Sequence, residues 1–214
     1  MRKKMIVSDG YISKIIEVLN ENYENVKCAL NFSNPFELLS AVILSAQCTD
    51  ERVNNVTKEL FKKYRNIENY ASADTLELEN CIKTVGFYRN KAKNIIRCAQ
   101  LAMNEYNGSI PQVMKELLRF PGVARKTANV VLSVAFGKSE GIVVDTHVIR
   151  ISNLLKLTKH DDPVKIERDL ISVVPKEYWM NFSFFIQTLG RKICKARDPN
   201  HLICPLSKLC PSYP

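Results

Sequence analysis

Lys126 lies within the stretch FPGVARKT, residues 120–127, and is the side chain with the clearest chemical potential in the sequence. A neutral lysine amine is a nucleophile, whereas its protonated form is a counter-ion for phosphate. An amine held beside a phosphodiester can therefore act in either role, and the surrounding residues indicate that such a group would be held there.

A helix break and a helix start position Lys126. Pro121 has no N–H group to continue the preceding helical pattern, and Gly122 can adopt the positive φ of a tight turn. The following TANVVLSVAFG predicts a second helix that ends at Gly137. The N–H groups at the start of that helix, together with the helix dipole, favour an anion such as a phosphate. The sequence thus predicts a helical hairpin with Lys126 on the first turn of its second helix.

Cysteines form a second group with chemical potential. There are seven, at positions 28, 48, 81, 98, 194, 204 and 210. An odd number in a chain that we expect to be intracellular argues against a disulfide framework. We expect the first four to be small buried side chains, and the last three are crowded into the C-terminal segment.

A buried helix is predicted between Asn34 and Gln47. Asn34, Pro35 and Glu37 form a helix-start signal, with an N-cap, a proline at the first helical position and an acid in the first turn. The run FELLSAVILSAQ that follows is apolar on nearly every side and too long for a typical strand. Gln47 lies at its far end, where a glutamine most simply bonds to the backbone.

An aromatic turn is predicted in TVGFYRNKAKNII, residues 84–96. Gly86 permits the turn, Phe87 and Tyr88 lie at its tip, and Arg89, Lys91 and Lys93 follow. Aromatic side chains beside clustered cations suit insertion into a base stack. The alternative is that Phe87 anchors the turn to the core.

The remaining patterns are helical. The nearest approach to a strand, GIVVDTHV at 141–148, is better interpreted as a connection into a helix capped by Asp145 or Thr146. Further helices are expected to start at Asp162 and to end at Gly190. With about ten helices and no alternating apolar pattern long enough for a sheet, the predicted fold is all-α.

Composition narrows the class of partner. Hydrophobic residues make up 46% and charged residues 25%, as in ordinary globular proteins, and the formal net charge is +9. A basic balance favours a polyanionic partner, either nucleic acid or an anionic membrane surface. No uninterrupted apolar run is long enough to span a membrane. The N-terminal residues MRKKMIVSDG are basic but are not followed by the apolar region that a signal peptide requires. We therefore expect a cytoplasmic protein.

Several motifs together resemble one family. Residues 120–128, FPGVARKTA, with VDTH at 144–147, are similar to the helix-hairpin-helix signature of the endonuclease III family of DNA glycosylases. The resemblance extends to LLSAVILSAQCTD, CIKTVGFYRNKAKNII and GRKICKAR, in the family's order and over nearly the whole chain. Ala124 departs from the family, which usually has glycine there. It should be tolerated unless φ is positive.

The resemblance implies an architecture and a partner. It implies two tightly packed helical domains, residues 29–139 with the hairpin and residues 1–28 plus 140–214 with a C-terminal metal-cluster loop, and a DNA groove between them. It also implies that the partner is double-stranded DNA with a damaged base or abasic site, bound by a nucleoid-associated monomer.

The resemblance implies roles as well. Lys126 would attack the sugar C1′ and Asp145 would stabilise the developing positive charge, giving a bifunctional glycosylase and abasic-site lyase that removes oxidised pyrimidines and cleaves 3′ to the site by β-elimination. Gln47 would fill the space left by the extruded nucleotide, and Phe87 would replace the family's leucine wedge, with Tyr88 as a second candidate. The family's DNA contacts map onto Gln47, Phe87, Tyr88, Gly122, Val123, Ala124, Arg125, Thr127 and His147.

The metal-cluster loop departs from the family pattern at one ligand. The family spaces four cysteines as C-x6-C-x2-C-x5-C around a 4Fe-4S cluster, and the same spacing here gives Cys194, His201, Cys204 and Cys210. Imidazole can replace thiolate on iron, which makes the cluster the first expectation. A three-cysteine, one-histidine set also suits zinc, and a site without metal is the third possibility.

Two other functions are compatible with these motifs. One is an adenine glycosylase of the same superfamily that works without a lyase step. Lys126 argues against it, because such an enzyme needs no amine nucleophile. The other is a non-catalytic helix-hairpin-helix protein that only binds damaged or branched DNA. Trapping of a covalent intermediate distinguishes all three.

Overall fold

The structure, a computed structural model, describes residues 9–24 and 26–213. That part of the chain contains eleven α-helices, two short 3-10 helices and no strand, which confirms the all-α prediction. The α-helices are α1 Asp9–Tyr23, α2 Pro35–Ser45, α3 Asp50–Lys63, α4 Ile67–Ala71, α5 Thr75–Cys81, α6 Tyr88–Tyr106, α7 Met114–Leu117, α8 Arg125–Phe136, α9 Thr146–Leu154, α10 Pro163–Ile171 and α11 Trp179–Lys192.

The chain divides into two compact units, each with its own hydrophobic core. One unit is Cys28–Glu140 and contains α2 to α8. The other combines the residues before Cys28 with Gly141–Pro214 and contains α1 and α9 to α11. We refer to them as the hairpin unit and the cysteine unit.

Helix α2 forms the centre of the hairpin unit. Asn34 caps it as the sequence predicts, because Oδ1 accepts a hydrogen bond of 2.9 Å from the N–H of Glu37, while Pro35 occupies the first turn. Residues 36–44 are all buried, and each large apolar side chain among them contributes about 1.5–3 kcal/mol by leaving water. The prediction of a buried central helix is confirmed.

Two features of the hairpin unit differ from the sequence-based expectation. The short helix α4 was not foreseen, since five residues show no usable periodicity; Tyr70 anchors it by stacking on Tyr64 at 5.0 Å between ring centroids. Only Cys98 of the four scattered cysteines is fully buried, because Cys28, Cys48 and Cys81 lie at partly exposed edges of the core.

The cysteine unit packs α1, α9, α10 and α11 around a second core. The Tyr11 hydroxyl donates one hydrogen bond shared between the carbonyls of Leu155 and Leu209, at 3.0 and 3.1 Å, which ties α1 to two distant parts of the unit. Helix α11 does not end at Gly190 as predicted but continues to Lys192. Gly190 is instead a contact point, where a β-carbon would lie 2.7 Å from Cδ2 of His147.

Candidate functional site

The turn between α7 and α8 requires its glycine. Gly122 has a φ of 77°, and a β-carbon there would lie 2.5 Å from Nδ2 of Asn94. On the same side, the Cys98 thiol contacts the carbonyl of Pro121 at 3.3 Å. Both Asn94 and Cys98 belong to α6, so α6 packs against the turn between α7 and α8.

Helix α8 begins at Arg125 without a capping side chain. Ala124 is its N-cap residue, with φ −92° and ψ 171°, an extended conformation that any residue adopts. Alanine is therefore tolerated where the family usually has glycine. Because alanine has no side-chain acceptor, the positive end of the helix dipole is left open to an anionic ligand.

Lys126 lies on the first turn of α8 and is exposed. The neighbouring Arg125 is also exposed, and its guanidinium donates a 3.3 Å hydrogen bond to the carbonyl of Glu140. Val123 is buried and Thr127 is half-buried. An exposed amine at this position is accessible to a ligand that binds at the start of α8.

Gln47 and Phe87 occupy two neighbouring turns. Gln47 follows the end of α2, is exposed and has a φ of 55°. A β-carbon on Gly86 would lie 3.9 Å from the carbonyl oxygen of Gln47, so the two turns are in ordinary contact. The structure thus brings together the backbones of two turns that are about forty positions apart in the sequence.

Phe87 extends into solvent rather than into the core. Its side chain is 66% exposed and its φ is 57°, so the alternative of a core anchor is wrong. Tyr88 is half-buried, with the Arg89 guanidinium carbon 5.1 Å from its ring centroid. Phe87 is therefore the more accessible of the two aromatic candidates.

Lys91 is not a member of an exposed cation cluster. It is 6% exposed, and its ammonium donates hydrogen bonds of 2.9 Å to the carbonyl of Leu44 and 2.6 Å to that of Ala46. Burial lowers the pKa of this amine. Helical spacing offered a signal, because Lys91 shares a face with the buried Ile95 and Cys98.

In the cysteine unit, Asp145 caps α9. Its Oδ1 accepts hydrogen bonds of 2.9 Å from the N–H groups of His147 and Val148, and its Oδ2 lies 3.2 Å from Nδ1 of His147. Thr146, the other candidate cap, is the first helical residue. A carboxylate fixed by two backbone N–H groups and an imidazole is well placed to keep one orientation.

Three thiols and His201 define the C-terminal segment of the cysteine unit. Burial raises the pKa values of Cys194 and Cys204, and the negative charge of Cys210 raises both further, so the three thiols are close enough to interact electrostatically. His201 opens a 3-10 helix, with its ring centroid 5.6 Å from that of Tyr213. By residue type, three thiols and an imidazole match the donors of an iron-sulfur cluster. Within residues 9–24 and 26–213, no group of three or more His, Cys, Asp or Glu side chains is arranged to hold a metal ion as the chain stands.

Arg150 of α9 contacts the start of this segment, and the sequence did not single it out. Its guanidinium donates to the carbonyls of Gly190 and Cys194, joining α9 to the first cysteine of the spaced set. An arginine in the middle of a short helix carries no local signal for contacts forty or more positions away. Only the folded chain identifies it.

No helix in the described part of the chain combines the length and apolar character that a bilayer crossing requires.

Comparison with known proteins places these features in a family. Residues 40–176 match the model of the HhH-GPD superfamily base excision DNA repair protein. The chain is 49% identical to endonuclease III of Synechocystis over 210 residues, covering 98% of this chain and 96% of the relative. It is 46% identical to endonuclease III of Bacillus subtilis over 196 residues, covering 91% and 89%.

Solved structures agree with the sequence relatives. A trapped endonuclease III–DNA covalent intermediate superimposes with a TM-score of 0.89 at 43% identity, covering 97% of each chain. A thermostable thymine-DNA glycosylase has the same fold, with a TM-score of 0.83 at 22% identity and coverage of 96% of this chain and 97% of that one. The chain therefore belongs to the endonuclease III family, the DNA glycosylases and abasic-site lyases of the HhH-GPD superfamily of base excision DNA repair proteins.

Proposed function

We propose that this protein removes oxidised pyrimidines from double-stranded DNA and cleaves the strand 3′ to the resulting abasic site by β-elimination. The observation that carries the proposal is Lys126, an exposed amine on the first turn of a helix whose start has no capping side chain. A phosphate bound at this helix start would bring the DNA backbone beside the amine.

The hairpin holds DNA without reading its sequence. The backbone from Gly122 to Ala124, with the side chains of Arg125 and Thr127, contacts phosphates, and such contacts fix position but carry no base information. The net charge of +9 supplies a further attraction that is independent of sequence and weakens with salt. This mode of binding suits an enzyme that must scan all DNA.

Base extrusion precedes the chemistry. A base inside a duplex is out of reach of any side chain, so the damaged nucleotide must turn out of the stack. Phe87, which is 66% exposed, inserts as a wedge beside the lesion, and Gln47 on the neighbouring turn fills the vacated space. Tyr88, which is half-buried at the start of α6, is the second candidate for the wedge.

Lys126 then forms the covalent bond. Its neutral amine attacks C1′ while the bond between C1′ and the base breaks, and the base leaves with the electron pair and a proton. Opening of the sugar ring gives a protonated Schiff base. The iminium acidifies the C2′ hydrogen, whose loss expels the 3′ phosphate.

Asp145 is the second catalytic residue of the proposal. A carboxylate stabilises the positive charge that develops at C1′ as the base departs, or moves a proton during elimination. In the free chain this carboxylate is held by the N–H groups of His147 and Val148. His147 adds a DNA contact.

In this proposal, a 4Fe-4S cluster would be held by Cys194, His201, Cys204 and Cys210. The bond-breaking steps above require no redox centre, so a bound cluster would cross-link the C-terminal segment. Zinc in a three-cysteine, one-histidine site is the second candidate, and a segment without metal is the third. The protein acts on damaged DNA in the cytoplasm, at the nucleoid, as a monomer.

Borohydride trapping tests the proposal. The protein is incubated with a duplex containing one abasic site, and borohydride reduces any Schiff base to a stable adduct that is resolved on a denaturing gel. We expect an adduct with the wild type and with Lys115→Ala, an exposed lysine of α7. We expect none with Lys126→Ala.

The other outcomes identify the alternatives. Base release without an adduct would indicate a monofunctional glycosylase, with adenine as the base to test. Binding of the abasic duplex without adduct or base release would indicate a non-catalytic DNA-binding protein. An adduct retained by Lys126→Ala would refute the assigned nucleophile.

A further inference from the structure

The turn that carries Gln47 has a strained backbone. Gln47 and Phe87 both adopt left-handed conformations, with φ values of 55° and 57°. A side chain larger than glycine occupies this region only where its surroundings hold it there. Two such residues on adjacent turns indicate that something fixes the turns.

Lys91 is bonded to the chain directly before Gln47. The last carbonyls of a helix lack partners within the helix, and those of Leu44 and Ala46 both accept hydrogen bonds from the Lys91 ammonium, at 2.9 and 2.6 Å. Ala46 is the residue directly before Gln47. A positive charge at this end also complements the dipole of α2.

The same face of α6 contacts the hairpin. Asn94 lies against Gly122, and the Cys98 thiol contacts the carbonyl of Pro121 at 3.3 Å. Lys91, Asn94 and Cys98 follow a spacing of three and four residues, which places them on one side of a helix. Helix α6 therefore connects three elements: the Phe87 turn at its start, the Gln47 turn, and the hairpin before Lys126.

We propose that Lys91 is a positioning residue for base extrusion, whose ammonium holds the end of α2 so that Gln47 is presented beside Phe87. This inference rests on the proposed function, because it assumes that Gln47 fills the space of an extruded nucleotide. Lys91 does not contact DNA itself, since it is 6% exposed and its ammonium is directed at two protein carbonyls.

The first experiment measures the turn in the free protein. Amide hydrogen exchange is followed for Gln47 and Cys48 in the wild type, in Lys91→Met and in Lys58→Met, an exposed lysine of α3 that serves as the control. Loss of two hydrogen bonds from a charged donor is expected to speed exchange at Cys48 about tenfold in Lys91→Met alone. The Cys48 amide is a suitable probe because it bonds to the carbonyl of Ser45 at 3.1 Å.

The second experiment is a double-mutant cycle of Lys91→Met with Gln47→Ala. The rate of base release is measured under single-turnover conditions, and extrusion is followed by the fluorescence of 2-aminopurine placed opposite the lesion. We expect each single variant to slow both signals about tenfold, and the double variant to be no slower than the slower single variant, because the two residues act through one step.

Each outcome has a separate meaning. Unchanged exchange at Cys48 in Lys91→Met overturns the positioning role, whatever the activity. Multiplicative rate losses in the double variant overturn it as well, since they indicate independent action. A Gln47→Ala variant with full activity overturns the extrusion step of the proposed function and, with it, the role of Lys91 in that step. If Lys91→Met is unfolded, Lys91→Gln replaces it, because glutamine keeps an N–H donor but carries no charge. We expect the Cys48 amide to exchange faster in Lys91→Gln than in the wild type, but more slowly than an unprotected amide. Exchange at the wild-type rate in Lys91→Gln would refute the need for the ammonium.

Discussion

Gly190 lies so close to His147 that a β-carbon at position 190 would be 2.7 Å from Cδ2 and 3.0 Å from Cβ of the imidazole side chain. Helix α11 and helix α9 therefore approach each other where α9 has just begun. Because His147 in turn bonds to Asp145, this contact bears on the orientation of the proposed catalytic carboxylate.

Gly190→Ala is expected to destabilise the protein by about 1–3 kcal/mol, as overpacking generally does. The direction of this change in stability is informative, because alanine in a helix interior otherwise stabilises a protein by up to about 1 kcal/mol relative to glycine. The measurement is urea denaturation. Gly10→Ala in α1, where a β-carbon meets nothing within 4 Å, is the matched control and should be neutral or slightly stabilising. Equal stability of both variants would contradict the close approach.

Replacement of Asp145 separates capping from catalysis. Asparagine is as good an N-cap as aspartate, so Asp145→Asn should retain stability within about 0.5 kcal/mol, whereas Asp145→Ala should lose about 1 kcal/mol. Both should lower the rate of base release, by about 100-fold or more if the carboxylate assists charge or proton transfer. Thermal unfolding and single-turnover kinetics provide the two readouts. Full activity of Asp145→Asn would show that Asp145 only caps α9 and has no catalytic role.

Phe87→Ala is expected to slow release of a base from an intact duplex roughly 10- to 100-fold, in line with the about 1–3 kcal/mol of base–aromatic stacking. Stability should change by less than about 0.5 kcal/mol, because the ring is mostly exposed. Leu76→Ala removes an apolar side chain that is 69% exposed elsewhere in the same unit, and it should leave the rate unchanged. Similar losses in both variants would mean that Phe87 is not a wedge.

Metal analysis tests the C-terminal ligands. We expect about four iron atoms and four sulfides per chain in anaerobically isolated protein, and a large loss of iron in Cys210→Ala. His201→Cys should keep the cluster and lower its reduction potential, because a thiolate adds a negative charge in place of a neutral imidazole. Protein-film voltammetry measures the potential. One zinc per chain, or no metal, would refute the cluster.

Acid stability should depend on Glu77. Hydrogen bonds from Lys63 and Tyr64 hold the pKa of Glu77 below its ordinary value of 4.5. A carboxyl whose pKa is lowered by folding contributes stability above its ordinary value, and this is lost as the pH falls through the lowered one. The difference in urea midpoint between wild type and Glu77→Gln should therefore shrink between pH 6 and about pH 3. Tyr64→Phe should show part of the same effect, and parallel pH profiles for all three proteins would contradict the assignment.

Helix starts and turns were predictable because their signals are local. Asn34 and Asp162 each precede a proline and each cap a helix through a bond to the N–H three residues on. Gly122 and Gly137 have positive φ values, as their places at a turn and a helix end indicated. In each case the residue and its hydrogen-bond partner lie within a few positions of each other.

Residues whose roles depend on distant contacts were not predictable. Lys91 bonds to carbonyls 45 and 47 positions earlier, and Arg150 to carbonyls 40 and 44 positions later. The prediction that a helix ends at Gly190 is wrong, because nothing near Gly190 in the sequence shows that His147 occupies the space of a side chain. The nucleophile assigned to Lys126 came from the family resemblance, and it stays a prediction until an adduct is trapped.

The uncapped start of α8 at Ala124 has a thermodynamic consequence. A polyanion that binds there accepts hydrogen bonds from N–H groups that no side chain of the protein caps. Since the anion binds only the folded helix, its binding adds to the free energy of unfolding. The melting temperature should consequently rise with the concentration of DNA. An Ala124→Ser replacement would supply a side-chain cap, so it should raise the melting temperature of the DNA-free protein and reduce the further rise that DNA causes.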